Sequence, residues 1–151
     1  MPHHIAYFIS PHGFGHATRA AAVMAAIQTL SPGAHFEIFT RAPEWLFQAS
    51  LPGSFTYQSL MSDIGLVQRS PLQEDLPATL ERLEAFLPFD QALVKDLSAQ
   101  VQELACRLIV CDIAPLGIAV AAQAGLPSVL VENFTWDWIY AGYLDSEPRF
   151  A

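Results

Sequence analysis

Five short, largely apolar runs constrain the fold of this chain more than any other feature: residues 5–10 (IAYFIS), 35–40 (HFEIFT), 55–60 (FTYQSL), 108–111 (LIVC) and 128–131 (SVLV). Runs of this size that lack a polar/apolar alternation are buried strands, covered on both faces. Between them the periodicity becomes helical. After residue 17, Ala20, Val23, Met24, Ile27 and Leu30 share one helix face, and Ser31-Pro32-Gly33 stops the helix. Pro43 suits the first turn of a short helix reaching about residue 49. Asp75 caps a helix with Pro77 in its first turn, reaching about residue 86. Residues 90–105 align Leu93, Leu97, Val101 and Leu104, Pro115 opens a helix through Ala124 that ends at Gly125, and residues 136–144 are helical. Residues 61–75 carry Gly, Ser, Pro and Asp and read as a loop.

Strands that alternate with helices specify an α/β fold: a Rossmann-like, doubly wound parallel sheet. Right-handed crossovers then give the strand order 3-2-1-4-5. A chain of 151 residues suits a single domain, residues 1–151, with a core that needs no disulfide or metal staple.

Lys and Arg total 7 against 15 Asp and Glu, a formal charge of −8. That balance opposes a phosphate-backbone grip, so no nucleic acid partner is expected, and it disfavours an anionic membrane surface. No apolar run approaches a membrane span, and Met1-Pro2-His3-His4 has no basic n-region, so neither a transmembrane segment nor a signal peptide is expected. Cys106 and Cys111 flank one strand and read as reduced thiols of a cytoplasmic protein. Charged residues make up only 15%, against ~25% in ordinary soluble domains. So sparse a charged surface implies that part of it is covered, by another domain or by a second copy in a homodimer.

Ligands of doubly wound sheets bind beyond the carboxyl ends of the strands, where the strand order reverses. Residues 10–19 and 112–115 meet at that point. Gly13 and Gly15 permit close backbone approach, and the amides opening the next helix favour an anion. Arg19, one turn on, is placed to hold a phosphate or carboxylate. The third glycine of a dinucleotide fingerprint would fall at Thr18, so NAD is disfavoured. His16 is the candidate base for a hydroxyl proton. Asp112 is either the carboxylate that orients His16 or a cap for the helix at Pro115, and spacing does not choose between them. His12 and His16 are four apart, but Gly13-Phe14-Gly15 reads as non-helical and no third ligand is evident, so no metal is expected. His3, His4 and His35 read as surface or strand-edge residues, and Cys111 as a buried structural thiol. Asn133, Thr135 and Asp137 follow the fifth strand into the same cleft. Trp136, Trp138, Tyr140 and Tyr143 form an aromatic cluster that packs in a core or interface or stacks on a sugar.

The glycine-rich loop with Gly15-His16 and Arg19, followed by its Ala/Val helix, resembles the first loop and helix of GT-B glycosyltransferases. LIVCDIAPLGIAVAAQAGLPSVLV (residues 108–131) resembles a later strand–Asp–helix–strand unit of that family. HGFGHATR (residues 12–19) and NFTWDWIY (residues 133–140) resemble a bacterial group of predicted glycosyltransferases and the glycosyltransferase-like front part of plant arabinose kinases. The resemblance implies the N-terminal, acceptor-side half of a GT-B enzyme, with a C-terminal donor-binding domain absent from this chain. It implies that His16 is the general base, that Asp112 orients it, and that a sugar passes from a nucleotide-diphosphate sugar to a hydroxyl acceptor.

Together these expectations assign His16 and Asp112 to catalysis. They assign His12, Gly13, Phe14, Gly15, Arg19, Asn133 and Thr135 to substrate binding, with no cofactor. The isolated chain is then expected to be inactive. Two alternatives stand beside this reading: a non-catalytic sugar- or nucleotide-binding module of a larger protein such as a fused sugar kinase, and a stand-alone Rossmann-type regulator that dimerises.

Overall fold

The structure, a computed structural model, describes residues 3–151; Met1 and Pro2, part of the N-terminal leader reading, lie outside the described residues. The chain runs β1 (His3–Ile9), α1 (Phe14–Leu30), β2 (Ala34–Thr40), α2 (Glu44–Ser50), β3 (Phe55–Ser59), β4 (Gln68–Ser70), β5 (Gln73–Glu74), α3 (Leu76–Phe86), α4 (Gln91–Glu103), β6 (Cys106–Asp112), α5 (Pro115–Ala124), β7 (Ser128–Val131) and α6 (Trp136–Ala141). A short 3-10 turn, Pro148–Phe150, follows.

Five strands form one sheet in the order β3-β2-β1-β6-β7. Every pairing in it is parallel. The expected α/β, Rossmann-like doubly wound sheet is therefore observed, with the order reversing between β1 and β6. The uniformly apolar strands have a simple cause: successive side chains point to opposite faces, and both faces are covered. From β1, Ala6 and Phe8 join Phe39, Val101 and Leu116 in one core layer. Tyr7 and Ile9 join Ala20, Met24, Ile38 and Phe47 in the other. Burying each large apolar side chain is worth ~1.5–3 kcal/mol, so the two layers dominate stability. Helix α5 approaches the sheet very closely. A methyl group at Gly117 would lie 2.7 Å from Cys111 Sγ and 2.8 Å from Phe8 Cβ.

Three local differences from the sequence reading have physical causes. Helix α1 starts at Phe14, three residues before the expected start, because Gly13 takes a positive φ of 74° and serves as the N-cap. Gly15 and His16 thus belong to the first helical turn. Residues 61–75 are not wholly a loop, since β4 and β5 pair as a small antiparallel hairpin. Strands of three and two residues are too short for periodicity to register. Helix α6 stops at Ala141, short of residue 144. Asp75 does cap α3, its Oδ1 accepting the Ala78 amide at 3.1 Å.

Candidate functional site

The topology sets the carboxyl ends of β1 and β6 side by side, and the Ser10 amide donates to the Asp112 carbonyl at 3.0 Å. Helix α1 leaves that edge with His16 and Arg19 one turn apart on the face toward β6. His16 Nδ1 lies 2.9 Å from Asp112 Oδ1. Arg19 Nε donates to Asp112 Oδ2 at 2.9 Å, and its Nη2 donates to Oδ1. Arg19 Nη1 donates to Asn133 Oδ1 at 3.1 Å. Residues 96 and 93 positions distant from Asp112 thus converge on one fully buried carboxylate.

Asp112 is not the N-cap of α5; Ala114 holds that position, and the helix opens without a side-chain cap bond. The next residue, Ile113, has a φ of 48°, a left-handed conformation for a branched side chain. Such strain costs ~1–3 kcal/mol and persists where surrounding structure enforces it, often at functional sites. Burial alone would raise the Asp112 carboxyl, but hydrogen bonds from His16 and Arg19, with the Arg19 charge, outweigh it and hold the group below its ordinary 3.8. Asp112 is therefore ionised at neutral pH, and a carboxylate facing Nδ1 selects the tautomer that carries its proton there. That leaves Nε2 with a lone pair. Behind the cluster, burial and the Asp112 charge keep the Tyr7 phenol protonated.

A second carboxylate, missed by the sequence reading, sits nearby. Asp63 Oδ2 accepts from Ser10 Oγ at 2.7 Å and from Trp136 Nε1 at 2.5 Å, and Oδ1 accepts the Ile64 amide at 2.8 Å. Burial raises the Asp63 carboxyl above its ordinary 3.8 despite these bonds. The opening Ser62-Asp63 of an irregular stretch after a strand was its only signal. His12 packs edge-on against Trp136 with ring centres 5.1 Å apart, and burial lowers its pKa, favouring the neutral ring. Asp63, Phe86, Ile113, Trp136 and Tyr140 are among the walls of a cavity of about 360 Å³. Thr135 and Asp137 line it too, whereas His16, Asp112 and Asn133 do not.

The remaining candidates divide. Phe14 is 60% exposed, with its ring centre 6.4 Å from that of Trp45. Trp136 is buried and stacks with Tyr140, while Trp138 is exposed. Burial pushes the Cys111 thiol up to about 12, which leaves no thiolate for nucleophilic chemistry. His4 and His35 lie at the starting ends of β1 and β2, partly exposed, and both contact Glu37 on the sheet.

No protein-family model matches the chain. Among solved structures, a UGT transferase from Siraitia grosvenorii in complex with UDP is 17% identical with a TM-score of 0.51, over 97% of this chain and 32% of that one. A Medicago truncatula UGT complexed with UDP-glucose is 16% identical with a TM-score of 0.52, over 85% of this chain and 29% of that one. The fold is that of a GT-B glycosyltransferase domain. Sequence similarity also reaches L-arabinokinase of Arabidopsis thaliana, which is 31% identical over 141 residues. The match takes in 92% of this GT-B-like chain but only 13% of that protein. Among the described residues, no helix of the GT-B-like domain is long and apolar enough to cross a membrane.

Proposed function

We propose that this chain is the acceptor-side domain of a GT-B glycosyltransferase that moves a sugar from a nucleotide-diphosphate donor to a hydroxyl, with His16 as general base. The observation that carries the proposal is the 2.9 Å contact of His16 Nδ1 with ionised Asp112. In this mechanism the acceptor O–H gives its proton to His16 Nε2 as its oxygen bonds to the anomeric carbon. The bond to the nucleotide diphosphate breaks, and the leaving group carries away the electron pair and the negative charge. Asp112 holds the ring in the correct tautomer and stabilises the imidazolium. Help of this kind is worth ~10²–10⁴-fold in rate.

Arg19 was expected to hold a phosphate. We assign it instead to fixing Asp112 and Asn133, because three of its nitrogens are already engaged there. The uncapped amides after Gly13 remain for an anion. His12, Gly13, Phe14 and Gly15 shape that edge, and Thr135 contributes to the adjoining cavity. The donor is held mainly by a second domain outside this chain. Two buried free cysteines fit a reducing compartment, and we assign the protein to the cytoplasm.

The test is sugar transfer by the full-length protein that contains this sequence, assayed as nucleotide release across a panel of UDP-sugars and hydroxyl acceptors. His16→Ala is expected to lower kcat by about 10²-fold or more; unchanged turnover removes the base assignment.

The similarity to L-arabinokinase favours a second reading, a sugar- or nucleotide-binding module fused to a sugar kinase. That reading predicts no transfer from any donor. It predicts instead ATP-dependent phosphorylation of a free sugar that survives His16→Ala with kcat intact.

A further inference from the structure

We propose that His4, His35 and Glu37 form a binding site for one divalent transition-metal ion of the zinc class, at the end of the sheet opposite Asp112. His4 on β1 pairs in register with His35 on β2, and Glu37 lies two residues further along β2. The period-two geometry of strands therefore puts all three side chains on one face. Their ligand atoms lie within 4.8 Å of one another. His4 Nδ1 is 3.0 Å from Glu37 Oε1, and His35 Nε2 is 3.3 Å from the same oxygen. Zinc–nitrogen and zinc–oxygen bonds of ~2.0–2.1 Å at the tetrahedral angle separate neighbouring ligand atoms by roughly 3.3 Å. Both histidine nitrogens thus already stand about that far from Glu37 Oε1.

The second observation is the carboxylate itself. Glu37 is 1% exposed, and its Oε2 is buried without a hydrogen-bond partner. A buried carboxylate needs compensation by positive charge or by donors on both oxygens. Among the described residues, its ion-pair partners are His4 and His35, with no Lys or Arg. A dication bound at Oε1 supplies compensating charge to this carboxylate.

Ser54 Oγ lies 2.9 Å from His35 Nδ1 and braces that side of the ring, which turns Nε2 toward Glu37. Thr56 Oγ1 lies 2.9 Å from the same Nε2 and yields that contact when the nitrogen takes an ion. The histidines are 26% and 19% exposed, enough to admit an ion from solvent. Two imidazoles and one carboxylate suit zinc, and suit magnesium or calcium poorly.

The test titrates the untagged chain with Zn²⁺ against a chromophoric chelator and follows thermal unfolding in parallel. One equivalent is expected to bind at micromolar affinity or tighter and to raise Tm, with no comparable effect of Mg²⁺. His35→Ala and Glu37→Gln are expected to weaken binding by about 10-fold or more. Glu37→Gln keeps the side-chain volume and removes the buried charge, so it reports on the site even if His35→Ala folds poorly. His3→Ala, at an exposed residue whose side chain lies on the other face of β1, is expected to leave binding intact. Absence of a one-equivalent site, or binding undiminished in Glu37→Gln, overturns the proposal.

Discussion

Arg19 clasps Asp112 with two nitrogens, Nε on Oδ2 at 2.9 Å and Nη2 on Oδ1, while His16 shares that second oxygen. One buried carboxylate thus organises two cationic or donor groups from the first helix. This ties the start of the chain to the end of β6 across the point where the strand order reverses. The geometry fixes the imidazole's orientation, and the account of function depends on that orientation.

Replacing the carboxylate measures how much it holds. Hydrogen bonds to a charged group contribute ~1.5–3 kcal/mol, and Asp112→Asn is expected to lower unfolding stability at neutral pH by about that amount. The native carboxyl lies below its ordinary 3.8, so its stabilisation is present above 3.8 and is lost as pH falls through the depressed native value. Denaturant unfolding across acidic pH is expected to show the gap between wild type and variant closing in that window.

Asp63 carries the opposite sign. Burial raises its native carboxyl above 3.8, so the folded state prefers the protonated form and loses relative stability as pH rises above 3.8 through the raised native value. Wild type is therefore expected to lose stability relative to Asp63→Asn as pH rises above 3.8, whereas it gains on Asp112→Asn in the window below 3.8. The slope is the prediction, because asparagine also forfeits one acceptor among the Ser10, Trp136 and Ile64 donors. Parallel slopes for the two variants would contradict these assignments.

At Gly117 the test is steric. A Cβ there would stand under 3.0 Å from Cys111 Sγ and the Phe8 side chain, both fully buried. Overpacking of a dense core costs ~1–3 kcal/mol, so Gly117→Ala is expected to destabilise by that order in spite of its better helix propensity. A chemical denaturation midpoint unchanged from wild type would show that α5 shifts away freely.

The sheet and its order were legible because burial on both faces writes itself as short unbroken apolar runs, and Pro and Gly mark the turns between them. The meeting of His16 with Asp112 was legible for the same reason, since topology alone carries both to one edge. Other features left weaker traces. Gly13 reads as a break, yet it is the N-cap that lets Phe14 and Gly15 turn helical. Asp63 sits in an irregular stretch where nothing local marks a buried acceptor. Glu37 hides inside an apolar strand, and its two histidine neighbours fall into place only once β1 and β2 are paired in register. Arg19 was legible as a cation at this edge but not in its partner, because the carboxylate it binds is 93 residues away.

The most direct test of the central claim is the tautomer of His16, read by ¹⁵N NMR of histidine-labelled chain at neutral pH, with His16→Gln assigning the signal. The account predicts a proton on Nδ1, toward Asp112, and an unprotonated Nε2 able to accept one. A neutral His16 that carries its proton on Nε2 would contradict it, since its lone pair would then sit on Nδ1, turned toward Asp112 and away from an acceptor hydroxyl.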